Sequence, residues 1–368
     1  MSRYHRRREL LLFALLAISS PLALLPPAFA HHPGATGNIG GAGPINTISA
    51  TTLPQGVTAV AFTYEYTALG GLSDAALEDA AAHHEHAHSI GSIGSAAASF
   101  AYGLTGDVSL SLRLPYVTRR DIREGEHHHD HVHNTHGGEV VQRGDSDGIG
   151  DISALAQWRV LNNESSGLSA ALLLGVKAPT GRTTENDDHG ERYEAEFQAG
   201  SGSWDGMFGL ALTQRLGAWA FDGNVLYTAV GKGALDTDLG DRFHYNAAIS
   251  YRVVGGPLGG RPMYSGTHGQ HHDDAGEPPH SHARTGAGAG PALDLVLEFN
   301  GEWHDTQDIV GTIDANSGGT VVYISPGARL SMDNWSGFVS VGVPVINDLN
   351  GLQSEPDVRV TSGVGVSF

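Results

Sequence analysis

The residues with the most distinctive chemistry are the histidines, of which this 368-residue chain has 21. Most of them are grouped in three segments, 83–88, 127–136 and 268–282. A neutral imidazole binds a metal ion through one ring nitrogen, and closely spaced histidines in a loop can converge on one ion. The spacing therefore predicts contact with divalent Zn, Cu, Ni or Co. The candidate metal ligands are His83, His84, His86, His88, His127, His128, His129, His131, His133, His136, His268, His271, His272, His280 and His282.

Acidic side chains near these histidines could complete a coordination shell. Glu85, Glu126 and Asp130 would each supply a carboxylate oxygen. The alternative interpretation is that the histidine tracts are low-complexity segments with adventitious affinity for metal and no role in transport. The chain has no cysteine, so neither a disulfide framework nor a thiolate metal site can form.

The charge balance is strongly acidic, with 40 Asp and Glu against 21 Lys and Arg and a formal net charge of −19. Such a chain is repelled by the phosphate backbone, so we expect no nucleic-acid partner, and it attracts cations. No Gly-x-Ser-x-Gly elbow lies at a junction between a strand and a helix. We therefore expect no enzymatic activity, no catalytic residues and no required cofactor.

Alternation of apolar and polar residues with period 2 is the dominant pattern in the rest of the chain. In the stretch 151–161, Ile152 and Trp158 have one parity, whereas Gln157 and Arg159 have the other. Because successive side chains of a β-strand point to opposite faces, this stretch is predicted to be a strand with one apolar and one polar face. Similar strands recur, separated by turns, from about residue 56 to residue 368, and we count about twelve.

A chain of many strands must protect its sheet edges, and closure into a barrel does so. Short turns and long loops alternate between the predicted strands, and the strand number is even, as in bacterial outer-membrane barrels. Residues 1–30 have a basic start, an apolar run and a small-residue end, which predicts a cleaved secretory signal peptide. The predicted fold is therefore all-β, a transmembrane antiparallel up-and-down β-barrel of about 12 strands in the outer membrane of a Gram-negative cell.

The sequence divides into a leader, an arm and the barrel. The predicted segments are the signal peptide 1–30, an N-terminal periplasmic arm 31–55, the barrel 56–368, two His-rich outer loops at 68–88 and 119–147, and a disordered His/Gly/Pro-rich connection at 255–291. The chain ends on Phe368 within an alternating strand. A terminal aromatic residue of this kind is similar to the signal read by the barrel-assembly machinery, which we expect as a partner together with outer-membrane lipid.

Charged side chains of both signs lie on the polar faces of the predicted strands and would line the interior. The predicted lumen residues are Arg113, Arg159, Arg252, Glu298, Glu302 and Arg359. Mixed signs suit either a hydrated lumen or an interior network of salt bridges, and the sequence leaves both open.

Three motifs carry a resemblance to a known family. They are Gly148-Ile149-Gly150-Asp151-Ile152, Lys177-Ala178-Pro179-Thr180-Gly181 and Gly200-Ser201-Gly202-Ser203-Trp204-Asp205. They make the chain similar to the outer-membrane β-barrel transporter family labelled MetA-pathway of phenol degradation, whose members are loosely related to hydrocarbon-uptake barrels. The resemblance covers most of residues 45–368 and implies a Gram-negative outer-membrane barrel. The His-rich segments depart from the hydrocarbon-uptake pattern, so the chain would be a His-rich member.

Together these observations predict an outer-membrane transporter or channel for small solutes, with His-rich loops that bind or concentrate divalent metal ions. An alternative, implied by the resemblance alone, is uptake of small aromatic or hydrophobic compounds. A third is a non-transporting barrel that carries a surface metal-binding or sensor site. A polar open lumen favours the first and a hydrophobic tunnel with a lateral opening favours the second. A lumen plugged by side chains or by the arm favours the third.

Overall fold

The structure is a computed structural model. It describes residues 43–130, 135–255 and 290–368. Two predicted segments lie outside these residues, namely the signal peptide 1–30 and the connection between 256 and 289. The candidate metal ligands that also lie outside them are His131, His133, His268, His271, His272, His280 and His282. For His128, His129 and His136 the backbone alone is described.

Strands account for most of the regular structure. In chain order they are β1 (Thr58–Gly70), β2 (His88–Ser89), β3 (Ser92–Thr105), β4 (Val108–Asp130), β5 (Thr135–Ile149), β6 (Ile152–Asn163), β7 (Leu168–Ala178), β8 (Asp205–Leu216), β9 (Trp219–Ala229), β10 (Thr237–Asp238), β11 (Arg242–Val254), β12 (Ala292–His304), β13 (Asp308–Ile309), β14 (Thr312–Ile313), β15 (Gly319–Met332), β16 (Trp335–Leu349) and β17 (Glu355–Ser367). The helices of the described residues are α1 (Asp74–Ala82) and one turn of 3₁₀ helix at Ala234–Asp236. Within those residues no helix has the length and apolar character needed to cross a membrane.

Twelve of the strands form a closed antiparallel barrel. They are β1, β3, β4, β6, β7, β8, β9, β11, β12, β15, β16 and β17, and each pairs with the barrel strands before and after it in the chain. The barrel closes because β1 pairs with β17 along nearly its whole length, from Ala59–Ser367 to Gly70–Glu355. The predicted all-β class, antiparallel order and strand number are confirmed.

The outer face of the barrel is apolar and exposed, whereas its inner face is largely polar. On β4, Leu110, Leu112 and Leu114 are between 41% and 50% exposed, while the intervening side chains point inward and Ser109 is buried. A continuous apolar belt of this kind faces lipid hydrocarbon rather than water. The barrel therefore spans a membrane with its strands, and a closed antiparallel barrel with an even strand number is the form found in bacterial outer membranes.

The two ends of the barrel differ in their connections. Turns of two to four residues join β3 to β4, β6 to β7, β8 to β9 and β15 to β16 at the end where β1 begins and β17 finishes. At the other end the connections are longer and carry α1, β2 and the small sheet of β10, β13 and β14. Short turns face the periplasm in outer-membrane barrels and long loops face outward, which orients this barrel.

The predicted outer loop 119–147 is a β-hairpin. β4 continues past the barrel rim and pairs with β5 along the hairpin. Helix α1 lies against this hairpin, and a Cβ atom on Gly125 or Gly138 would collide with the carbonyl oxygen of Leu77 or Glu78, respectively. The polar, Gly-rich composition predicts a loop, but the backbone hydrogen bonds of an antiparallel pair do not depend on apolar side chains.

The described part of the N-terminal arm lies inside the barrel instead of extending into the periplasm. Residues 43–50 are almost entirely buried. Ile48 and Ala50 pack against Leu173 and Leu226 of the inner wall, forming a small apolar cluster within the lumen. The arm sequence has no periodicity, so it predicts only an extended segment. An extended backbone carries unpaired amides, and a polar inner wall can satisfy them.

Candidate functional site in the lumen and at its outer mouth

A buried carboxylate on β12 holds the arm in the lumen. Glu298 is 0% exposed. Its oxygens accept hydrogen bonds from the backbone amides of Ile45 (3.0 Å), Asn46 (2.9 Å) and Thr47 (3.0 Å). The Asn46 side chain donates a fourth, at 2.7 Å. Because a buried charge is costly unless hydrogen bonds satisfy it, Glu298 and the arm stabilise each other.

Other strands fix the arm from around the wall. Arg329 on β15 donates to the carbonyl oxygens of Gly43 (3.0 Å) and Pro44 (2.8 Å). Three backbone amides of the arm donate to wall side chains: Ile48 to Asn224 on β9 (2.8 Å), Ala50 to Thr213 on β8 (2.8 Å) and Leu53 to Ser109 on β4 (2.7 Å). Since these strands lie around the circumference, the arm crosses the periplasmic half of the lumen rather than following one wall.

A second segment enters the barrel from the outer end. The connection between β7 and β8, residues 179–204, folds inward so that Phe197 and Gln198 are buried, and we name it the inward loop. Gln198 donates to the carbonyl oxygen of Tyr193 at 2.7 Å. The buried Arg119 of β4 donates to the carbonyl oxygen of Phe197 at 3.3 Å. The inward loop therefore narrows the outer end of the lumen, as the arm narrows the periplasmic end.

Between the arm and the inward loop lies a chamber of about 710 Å³, a volume that includes the space opening to solvent. Its charged or titratable lining residues are Arg113, Asp151, Lys177, Asp205, Arg242 and His244. The Lys177 Nζ atom lies 3.2 Å from Asp151 and 2.7 Å from Asp205. Met207 and Leu226 add apolar surface. A small solute that enters the chamber would meet both signs of charge together with this apolar surface.

The six predicted lumen residues lie on the inner wall or at its periplasmic rim. Arg113 lines the chamber, and Glu298 anchors the arm. The other four form ion pairs: Arg359 with Glu302, Arg252 with Asp294, and Arg159 with Asp107 of the periplasmic turn, the last at 2.8 Å. Arg252, Glu302 and Arg359 therefore fit an interior arrangement of salt bridges, whereas Arg159 pairs at the periplasmic rim and Arg113 lines the open chamber.

One histidine and two glutamates from three separate elements converge at the outer mouth. His86 follows α1, Glu124 lies on β4 beyond the rim, and Glu194 lies in the inward loop. The Nε2 atom of His86 is 3.0 Å from Glu194 Oε1 and 3.4 Å from Glu124 Oε1. The three ligand atoms all lie within 4.8 Å of one another. The carboxylates of Glu124 and Glu194 raise the pKa of His86 to about 11, although burial acts in the opposite direction.

Further acidic groups surround this cluster. His88 lies next to His86, with ring centroids 6.0 Å apart, and its Nε2 atom is 2.8 Å from the buried Glu196. Arg143 on β5 contacts the second oxygen of Glu124 at 2.9 Å. The same guanidinium also contacts Glu126, Asp187 and Glu191. A single arginine therefore forms ion pairs with four carboxylates, and this part of the outer mouth carries an excess of negative charge.

The other described histidines of the first two groups lie apart from this cluster. His83, at the end of α1, is exposed, and its Nδ1 atom is 2.7 Å from the carbonyl oxygen of Asp79. The rings of His84 and His127 are in contact, with centroids 4.0 Å apart. These three histidines remain candidate ligands outside the His86 cluster.

The oxygen donors beside His86 differ from those expected. Sequence proximity points to Glu85, Glu126 or Asp130, and Glu126 instead contacts Arg143. Glu124 and Glu194 reach His86 only because the hairpin and the inward loop meet over the mouth. No local spacing in the sequence marks Glu194, since it is far from every histidine group along the chain.

The wall of the barrel is discontinuous at one place near its outer rim. The register between β16 and β17 runs up to the pair Gly342–Arg359 and stops there. Beyond it, in the part of the chain that the structure describes, β16 pairs with β15 and β17 pairs with β1. Pro344 and Pro356 occupy this stretch, and proline has no N–H group to donate to a ladder. The two strands therefore part at the outer end of the apolar belt.

Comparison with known proteins gives one family. A family model described as "Putative MetA-pathway of phenol degradation" matches residues 102–303, which is just over half of the chain. No curated protein sequence matches the chain.

Comparison with solved structures finds, among others, three matches. An outer membrane channel from Pseudomonas putida F1 is 16% identical, with 87% of this chain and 98% of that chain covered and a TM-score of 0.49. LpxR from Salmonella typhimurium is 12% identical, with 84% and 99% covered and a TM-score of 0.39. The CymD monoaromatic hydrocarbon channel is 8% identical, with 86% and 89% covered and a TM-score of 0.37.

Proposed function

The chain belongs to the family described as MetA-pathway of phenol degradation, and from this premise we propose that it is an outer-membrane channel for small solutes. The observation that carries the proposal is the chamber, which is enclosed by the barrel wall and lined by charged side chains such as Arg113, Lys177 and Arg242. A membrane barrel whose lumen keeps such groups around open space is suited to hydrated solutes rather than to a sealed core. As a membrane barrel of this family, the protein is not an enzyme.

The arm would act as the gate of this channel. It crosses the periplasmic half of the lumen, and polar contacts to side chains such as Glu298 and Arg329 hold it there. Hydrogen bonds of this kind can be exchanged for water without disturbing the strands of the wall. Release of the arm would therefore open the periplasmic end while the barrel remains intact.

Conductance in a planar bilayer tests the proposal. We expect the refolded mature chain to give small or intermittent single-channel currents. A variant lacking residues 31–50 should give larger and steadier currents, because the chamber then opens to the periplasmic side. Folding of the deletion variant is judged by the difference in electrophoretic mobility between unheated and boiled samples. If the variant folds and still carries no current, the channel proposal is wrong.

Uptake of small aromatic or hydrophobic compounds is a second candidate function. The discontinuity between β16 and β17 favours it, since a gap in the wall gives an apolar solute a lateral path into the membrane. The Asn347 amide meets the Glu355 carboxylate across this gap at 3.2 Å. The chain has no native cysteine, so a short reducible bis-thiol crosslinker can join Asn347→Cys and Glu355→Cys selectively. If the gap is the path, crosslinking should slow phenol flux into liposomes and reduction should restore it.

The third candidate is a barrel that binds metal or acts as a sensor without transport, and the arm inside the lumen favours it. We propose in addition that the His-rich outer segments bring divalent ions to the outer mouth, whichever of the three candidate functions the barrel has. The absence of current from the arm-deletion variant, together with retained metal binding, would leave this candidate as the better account.

We also propose that the strand ending at Phe368 is recognised by the barrel-assembly machinery, with outer-membrane lipid as the final surroundings. Phe368 is 64% exposed and exchanges two backbone hydrogen bonds with Thr58, at 2.8 and 2.9 Å, where the barrel closes. Phe368→Ala should lower the amount assembled in cells but leave detergent refolding unchanged. An equal loss in both assays would indicate a structural role instead.

A further inference from the structure

We propose that His86, Glu124 and Glu194 form a binding site for one divalent transition-metal ion, of the Zn²⁺ or Co²⁺ type, that fastens the inward loop over the outer mouth. This inference rests on the proposal that the His-rich outer segments contact metal ions, and it adds the place at which one ion would bind. Two of its three ligands lie outside those histidine groups and come from elements that meet only in the folded barrel.

The distances fit a small ion. Zinc binds imidazole nitrogen and carboxylate oxygen at about 2.0–2.2 Å, and two ligands in a tetrahedral arrangement are then about 3.3–3.5 Å apart. In the structure, His86 Nε2 lies 3.4 Å from Glu124 Oε1 and 3.0 Å from Glu194 Oε1. Three protein ligands leave the fourth position of a tetrahedral ion to water or a solute. The oxygens of Glu124 and Glu194 lie within 4.8 Å of each other, so the two carboxylates close on the ion as it replaces the proton on His86 Nε2.

Each ligand is held by a neighbour. Arg143 takes the second oxygen of Glu124 at 2.9 Å and leaves Oε1 directed toward His86. The Asn316 amide donates to the backbone carbonyl oxygen of His86 at 2.5 Å. The Phe197 amide donates to the carbonyl oxygen of Glu194 at 3.1 Å, closing a turn that fixes the glutamate backbone. The Arg143–Glu124 contact is of the kind that orients a metal ligand and commonly changes affinity by about 10–100-fold, and the two backbone bonds limit the movement of the other two ligands.

The surrounding charge favours a cation. Arg143 is shared among Glu124, Glu126, Asp187 and Glu191, so it does not neutralise the cluster. Negative charge concentrated in a cleft raises the local concentration of cations. A nitrogen donor with two carboxylates also distinguishes the site from an all-oxygen Mg²⁺ or Ca²⁺ site, because imidazole selects borderline transition ions.

A bound ion would connect three parts of the mouth that are otherwise joined by noncovalent contacts between loops. His86 belongs to the segment after α1, Glu124 to the hairpin and Glu194 to the inward loop. Joining them fixes the inward loop beneath the hairpin. The inference is therefore that transition-metal ions narrow the outer mouth of the lumen.

Cobalt spectroscopy on the full mature chain in detergent micelles tests the site. Co²⁺ in a tetrahedral site absorbs visible light strongly, and Zn²⁺ should displace it. We expect Glu194→Gln and His86→Gln, which change ligands on different elements, each to weaken Co²⁺ binding by at least about tenfold. The matched control is Glu78→Gln, since Glu78 is exposed on α1 and lies outside the cluster; this variant should bind Co²⁺ as the parent does.

A second control removes residues 127–136, the tip of the hairpin. The Co²⁺ spectrum should survive this deletion, because none of the three ligands lies in the tip. A spectrum that disappears with the tip, or that both Gln variants retain, would overturn the site and assign the metal to the histidine tract. A difference in gel mobility between unheated and boiled samples shows in each case that the barrel is folded. Conductance of the arm-deletion variant is measured separately, so failure of this site leaves the channel proposal untouched.

Discussion

Glu298 is the side chain on which the position of the arm depends most. It accepts four hydrogen bonds from residues 45–47, and hydrogen bonds to a charged group contribute about 1.5–3 kcal/mol each. Glu298→Ala should therefore release the arm and raise single-channel conductance toward that of the arm-deletion variant. Glu164→Ala, in an exposed periplasmic turn, is the control and should leave the conductance at the parent value. Equal currents from both variants would mean that Glu298 does not hold the gate.

Asp187 makes the inward loop sensitive to acid. Burial alone would raise the pKa of Asp187, but hydrogen bonds from the Glu191 amide, from Arg143 and from the His189 amide outweigh it and lower the pKa below 3.8. A carboxyl whose pKa is lower in the folded state contributes stability above its unfolded pKa and loses it as pH falls through the folded value. The loop should therefore keep its protection above pH 4 and lose it below.

Amide hydrogen exchange of residues 187–193 at a series of pH values, corrected for the intrinsic rate, measures this loss. Asp187→Asn should lower the protection at neutral pH and abolish the additional loss in acid. Protection that stays constant from pH 6 to pH 3 in the parent protein would contradict the assignment.

At the scale of elements, the contact of α1 with the hairpin depends on glycine. A Cβ on Gly138 would collide with the carbonyl oxygen of Glu78, whereas one on Gly137 would meet open space. Gly138→Ala should destabilise the docking of α1 by about 1–3 kcal/mol, the usual cost of overpacking. Gly137→Ala is the neighbouring control and should cost far less. The measurement is the hydrogen-exchange rate of the α1 amides, compared with that of amides in the barrel strands. Equal α1 rates in Gly138→Ala and Gly137→Ala would contradict the docking of α1 against Gly138.

The elements differ in how far the sequence could predict them. The membrane part of β4 and most of β17 follow from regular alternation, because lipid outside and polar side chains inside favour period 2 along a strand. The hairpin of β4 and β5 could not be predicted, since above the membrane no apolar face is required. The arm likewise lacks a pattern, because backbone amides rather than side chains make most of its contacts with the wall. The carboxylates of the proposed metal site, Glu124 and Glu194, approach His86 only through tertiary contacts, which no spacing in the sequence predicts.

At the scale of the whole molecule, the apolar belt sets the stability of the barrel in lipid. Leu112, midway along the membrane part of β4, is 50% exposed, and Leu216, at the periplasmic end of β8, is 55% exposed. An arginine on the lipid face costs about 2–4 kcal/mol at the midplane and about 0–1 kcal/mol near the interface. Leu112→Arg should therefore lower the free energy of unfolding in lipid vesicles by the larger amount and Leu216→Arg by the smaller. Similar losses of unfolding free energy for the two variants would mean that Leu112 does not lie near the midplane of the bilayer.

Strand β4 has a mechanical consequence, because one unbroken stretch of backbone passes from the chamber to the hairpin tip. It carries Arg113 in the chamber and Glu124 at the mouth. Its pairing with β5 shifts register between Arg119 and Ile122, and Asp121 there has a φ of 57°. Below the shift, β4 pairs with β3 and β6 in the barrel wall, and above it β4 pairs with β5 and contacts α1. We therefore expect a displacement of the hairpin to change the backbone angles near Asp121 and to move Glu124 before it disturbs the wall around Arg113.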